Sequence, residues 1–379
     1  MARQVSAVNL AQWCWGNLRR FQNVEYVSDF ILRLHRLPER YRKKAKDRAR
    51  DIRFCLLQAK EYYDAALRVS LATKPTLLYY STMNLALAEA ILKQFPLGLD
   101  FARANHAHHG LDFKFSALPQ PTDRLGEAAS LLRACPIHRS GKPSGTFAFW
   151  HESAREHPIC GEIERYLGSG NSTKKYDVIL TPGDEKLPPL KNKGISLFDC
   201  LISLPRLRDE IAFSGGHPNF IRTEVKVMIR NGSPERIENQ IIIHPQTDIS
   251  IDKFLEQCKF EARAIDRLAY SPLPSGGIVR WTNTPSDSVG FRLPHGCMIE
   301  NNSAMFWLED QPVNEFGFYF LALFIAGNYA RYFPERWGAD MQTHSYLAQA
   351  IESLTASAET VIPLLALSEL GQVYLVMES

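Results

Sequence analysis

Apolar positions recur along this chain with two different periods, and the change of period divides it. Ile52, Leu56, Ala59, Tyr63 and Ala66 fall every three or four residues, forming the stripe of an amphipathic helix. That helix should end near Thr73-Lys74, because Pro75 disfavours helical geometry in the residue before it. Pro75 then suits the first turn of a second helix, PTLLYYSTMNLALAEAILKQF. Leu77, Leu78, Tyr80, Leu85, Leu87, Ala88, Ile91 and Leu92 leave it little polar face, so it should lie buried at the centre of a helical bundle until Pro96 and Gly98 end it. Near the other end, EFGFYFLALFIAGNYARYF is almost wholly apolar and predicts a second central helix, broken by Pro334. SYLAQAIESLTASAETV predicts a further helix with Tyr346, Ala350, Ile351 and Leu354 on one face.

After Pro119 the period shortens and turn-forming residues multiply (SGKPSG, GSGNS, TPGDEKLPPL). Thr146–Trp150, Tyr176–Leu180 and Gly277–Trp281 read as strands, and Glu224–Ile229 alternates polar with apolar as a half-buried strand does. Gln240–Ile243 is a plausible partner for it, across a loop longer than a two-residue turn. SLFDCLISLPRLRDEIAF and IDKFLEQCKFEARAI read as short helices. The expected architecture is mainly α, a helical bundle built from both ends of the chain with an inserted α/β segment. Residues 1–50 form a basic and aromatic helical extension, 51–118 the first half of the bundle, 119–300 the insertion and 301–379 the second half.

The 379 residues are 45% hydrophobic and carry a formal charge of +3, so any nucleic-acid role must rest on a local patch. Seven cysteines are scattered without a CxxC pair, which argues against a disulfide framework or a zinc ribbon and suits a reducing cytoplasm. The N-terminal residues lack the apolar core of a signal peptide, and Phe316–Gly327 is too short to cross a bilayer, so no membrane association is expected. SGGH and GSGNS lack the phosphate-loop and dinucleotide spacings, and neither GxSxG nor HExxH occurs; they read as turns, and no cofactor is expected.

The densest titratable cluster is RANHAHHG, Arg103 to Gly110, which holds three of the eleven histidines. One imidazole there could take a proton from a ribose hydroxyl while another returns one, and Arg103 could hold the phosphate. The alternative is a histidine at a helix C-terminus with solvated neighbours. Without a nearby cluster of cysteines or carboxylates, no metal site is expected. The run RYRKKAKDRARDIR places Arg42, Lys43, Lys44, Lys46, Arg48 and Arg50 on one helix, either as a stripe that contacts nucleic-acid phosphates or as a solvated face.

LQAKEYYDAALRVSLATKPTLLYYSTMNLALAEAIL, with HHGL at His108–Leu111, resembles the YaaC-like family of bacterial proteins. So do SLFDCLISLPRLRDEI at Ser196–Ile211 and FYFLALFIAGNYARYFPERW at Phe318–Trp337. The YY-helix followed by HHGL is also similar to HEPN domains, all-helical and usually dimeric, found in antiviral and toxin–antitoxin systems. Active members are metal-independent ribonucleases with an arginine, four to six residues, then a histidine. Carried onto this chain, the resemblance implies Arg103 with His108 or His109 as catalytic residues; Ala104 and Asn105 follow the arginine. It further implies RNA as substrate, a homodimer and a partner protein from the same operon. A non-catalytic module that binds nucleic acid or protein is the alternative.

Overall fold

The computed structural model describes residues 3–5, 7–155, 161–169, 172–180, 187–230, 236–243, 267–273, 276–283, 297–300, 303–307, 311–373 and 375–377. Its helices are α1 (Leu10–Leu18), α2 (Val24–Leu34), α3 (Arg42–Ala66), α4 (Lys74–Lys93), α5 (Leu99–Asn105) and α6 (Leu125–Leu131). Then come α7 (Thr146–His151), α8 (Leu197–Ile202), α9 (Arg208–Phe213), α10 (Glu315–Tyr332), α11 (Pro334–Thr343) and α12 (Tyr346–Gly371). The fold is mainly α.

The apolar character of α4 has the consequence expected of it. It packs against α3, α10 and α12, so its centre is enclosed by helices from both ends of the chain. Gly327 brings α10 close: a Cβ there would lie 3.1 Å from Thr76 Cα, and the Thr76 hydroxyl donates to the Gly327 carbonyl at 3.1 Å. Across α3 and α12, the Tyr63 hydroxyl donates to the Glu359 carbonyl at 2.9 Å, and Lys74 pairs with the Glu359 carboxylate. α1 rests on α12, and strand Arg3–Val5 pairs in parallel with Leu375–Met377, so the two ends of the described chain meet.

α12 is long and apolar enough to cross a membrane by length and composition, but it lies largely buried within the bundle and continues through the buried Pro363. Near its end Glu369 enters a buried charge cluster. Lys93 donates to Glu369 at 2.7 Å and to Glu89 at 2.6 Å, and Trp150 Nε1 donates to the other Glu89 oxygen at 3.0 Å. Loss of hydration pushes the Glu369 carboxyl up to about 7, against the pull of Lys93.

The middle of the chain adds a three-stranded sheet, a six-stranded sheet and two strand pairs, His138–Arg139 with Lys142–Pro143 and Gly161–Ser169 with Ser172–Leu180. Leu111–Phe115, Leu132–Pro136 and Ile195–Ser196 form a small antiparallel sheet, and α8 beside it packs on α10. Ser196 and Asp199 form a capping box at the start of α8. Six antiparallel strands follow in the order Arg267–Leu273, Gly276–Asn283, Arg236–Ile243, Phe220–Arg230, Ser303–Trp307 and Cys297–Glu300. The expected pairing of Glu224–Ile229 with Gln240–Ile243 occurs, with Val225 opposite Ile241. The helix expected over residues 251–265 lies outside the described residues.

Two local expectations are corrected. α3 ends at Ala66, well before Thr73, because residues 67–73 are spent on turns in which the amides of Thr73 and Lys74 both donate to the Ser70 carbonyl. Thr146–Trp150 is helix rather than strand. The amides of Thr146 and Phe147 donate to the carbonyls of His108 and His109, which starts the turn. Phe147, Phe149 and Trp150 are then buried, and this packing overrides their strand propensity.

Candidate functional site

The site grows from the short helix α5. Its first amide, that of Leu99, donates to the Asp51 carboxylate on α3 at 3.2 Å. Arg48 bridges Asp51 at 3.3 Å and Asp100 at 2.8 Å, so the guanidinium clamps the start of α5 onto α3. Gly98 makes room for it, since a Cβ there would collide with Arg48. One turn after Asp100, Arg103 stands exposed and makes no ion pair among the described residues.

Residues 106–110 cross the start of α7 in a strap. The His106 Nδ1 accepts from the Gly145 amide at 3.1 Å, and its ring stacks on Phe149 with centroids 5.3 Å apart. His108 commits both ring nitrogens. Nδ1 accepts from the Gly110 amide at 3.1 Å, which leaves Nε2 to donate to the Ser144 hydroxyl, also at 3.1 Å. Gly110 and Gly145 both have positive φ, and a Cβ on Gly145 would come within 2.2 Å of Gly110 Cα. The two backbones therefore cross where only glycine fits.

His109 turns inward, between the two central helices. Its Nδ1 lies 3.0 Å from the Tyr79 hydroxyl of α4, and its ring meets those of Tyr79, Tyr80 and Phe324 of α10. Burial lowers its pKa below 6.5, helped by the charges of Arg331 and His108. At neutral pH this imidazole is uncharged and can accept a proton. His108 is lowered too, by burial and then by Arg139 and His106.

Arg103, His106, His108 and His109 all line one open depression of about 360 Å³, with Phe54, Gln58, Asn84 and Thr146 among its other walls. The three candidates named from the sequence therefore share a pocket. Two residues of the site were not singled out there. His106 keeps Nε2 free of hydrogen bonds among the described residues. Arg331, at the end of α10, donates to the hydroxyl of Tyr80, whose ring meets His109. The imidazole cluster pointed to the first; no spacing in the sequence could have pointed to the second.

The basic run of α3 is largely neutralised. Arg42 pairs with Asp29 and Glu39, Lys46 with Glu25, Arg48 with Asp51 and Asp100, and Arg50 with Asp47. Lys43 and Lys44 are exposed.

The sequence profile described as YaaC-like Protein matches residues 19–117 and 178–370, which takes in α3, α4, the histidine strap and all three C-terminal helices. This chain belongs to the YaaC-like family. No curated protein and no solved structure matches it. In the YaaC-like chain the first matched region supplies the walls of the depression apart from Thr146, which starts α7 between the two matched regions.

Proposed function

We propose that this YaaC-like protein is a HEPN-like, metal-independent ribonuclease of a prokaryotic defence or toxin–antitoxin system, working in the cytoplasm. The observation that carries the reading is the shared depression, where Arg103 stands beside His106 and His109, each with one ring nitrogen unbonded among the described residues. His109, uncharged at neutral pH, takes the proton of a ribose 2′-hydroxyl. The 2′-oxygen attacks phosphorus, and Arg103 balances the charge that develops on the phosphoryl oxygens. The bond to the 5′-oxygen breaks, that oxygen takes a proton from solvent in the open depression, and a 2′,3′-cyclic phosphate remains. His108, held at both nitrogens, positions the strap rather than moving protons.

The acting species in this proposal is a homodimer. Phe54 at the pocket's edge and Leu57 on the same helix are exposed, which supports an apolar contact with a second copy beside the depression. A partner protein from the same operon would regulate it.

The test is incubation of the purified protein with mixed RNA in the presence of a chelator, followed by analysis of the ends. Cyclic phosphate ends are expected from the wild type, with at least a hundredfold loss in His109→Ala and Arg103→Ala variants that melt as the wild type does. Equal cleavage by those variants, or none by the wild type, overturns the reading. A second reading, a binding module without catalysis, is favoured by the engagement of His108 and by a strap that ties α5 to α7. A salt-sensitive shift of RNA without product would establish it.

A further inference from the structure

The carboxylates that neutralise the α3 stripe have no counterpart around Arg331. Among the described residues this arginine forms no ion pair; it donates to the Tyr80 hydroxyl at 3.4 Å and lies over the Tyr332 ring at 5.1 Å. Tyr80 in turn stacks on Tyr62 of α3, with centroids 5.3 Å apart and planes inclined by 27°. Tyr80 also meets His109. Tyr62, Tyr80, Arg331 and Tyr332 are thus linked contact by contact, Tyr80 joins them to the candidate catalytic histidine, and together they combine residues from both halves of the bundle. Tyr332 is 57% exposed, and the face of Tyr62 turned from Tyr80 meets no other ring among the described residues.

We infer that these four residues form a binding track for single-stranded RNA, with bases stacking on Tyr62 and Tyr332 and a phosphate held by Arg331. Planar rings accept any base face, and a guanidinium positioned by a ring and a hydroxyl keeps its charge for a phosphate. The track rests on the reading of the site as one that acts on RNA, and it names the form of RNA taken: an unpaired strand whose bases are open to stacking. A duplex, with its bases already stacked on one another, does not fit.

The experiment is fluorescence anisotropy with a labelled oligouridylate and a labelled RNA duplex, at fixed salt. Tyr62→Ala and Tyr332→Ala should each weaken the single strand by roughly 5- to 100-fold, the range of one lost stacking contact. Tyr62→Phe should bind as the wild type does, and Phe213→Ala, which removes an exposed ring elsewhere, should change nothing. Unchanged affinity in folded Tyr62→Ala and Tyr332→Ala, alongside cleavage that still depends on His109, overturns the track and spares the nuclease reading. Wild-type protein that prefers the duplex also overturns the track, and wild-type protein that binds neither RNA overturns both.

Discussion

The hydroxyl of Tyr79 lies 3.0 Å from Nδ1 of His109, in a half-buried space walled by rings of α4 and α10. This contact turns the ring that the Arg103-to-His109 cluster supplies. Tyr79→Phe keeps the aromatic wall and removes the hydrogen bond. It should cost about 1 kcal/mol, lowering the melting temperature by no more than about 3 °C. RNA cleavage should fall about tenfold, since the general base loses its orientation.

The same site predicts a pH profile. Because burial, then Arg331 and His108, hold the His109 pKa below 6.5, cleavage should rise with pH along a limb centred below that value. Arg331→Gln removes a neighbouring positive charge and should move the limb upward, towards 6.5. A limb that stays in place in the variant would count against Arg331 facing His109.

The buried cluster titrates in the opposite sense. Glu369 holds its proton more tightly in the fold, so its contribution to stability is full below pH 4.5 and is lost as pH rises through about 7. The lowered histidines His108, His109 and His151 contribute stability that is present above pH 6.5 and lost as pH falls through their lower folded values. Glu369→Gln should therefore flatten the decline in melting temperature between pH 4.5 and 7. Lys93→Met, which leaves two buried carboxylates without their ammonium, should cost about 3–5 kcal/mol at neutral pH.

Gly145→Ala should be severe. The new methyl meets the Gly110 backbone at 2.2 Å, and φ is +96°, so the strap and the start of α7 must separate. Loss of several degrees in melting temperature and of protection at the Thr146 and Phe147 amides in hydrogen exchange is expected. Gly338→Ala on α11 meets nothing within 4 Å and should stabilise by about 0.5–1 kcal/mol.

Arg48 and the pair Lys43 and Lys44 separate structure from charge on one helix. Arg48→Ala should destabilise by about 1–3 kcal/mol through loss of its buried contact with Asp51, and leave RNA affinity unchanged once the protein is folded. Lys43→Ala with Lys44→Ala should leave the melting temperature unaltered; reduced RNA affinity in that double variant would show that the stripe retains a role in binding.

The bundle was legible in the sequence because its signal is local. Pro75 marks a helix start and Pro334 a helix end, and the apolar surround of Leu78 to Leu92 and of Phe316 to Ile325 requires burial in any fold. The alternation at Glu224–Ile229 fixed a strand for the same reason, and RANHAHHG drew attention to the strap that carries His109. The helix at Thr146 could not be read, because its first amides are satisfied by carbonyls nearly forty residues earlier. Nor could the fate of the α3 cations, since Asp29, Glu25 and Asp100 reach them from other elements. Arg331 and Tyr62 meet at Tyr80, next to His109, only because α3 and α10 both pack on α4. Composition and period determine which segments must be buried; which charges are cancelled and which rings share a surface depends on long-range distances that only the packed bundle sets.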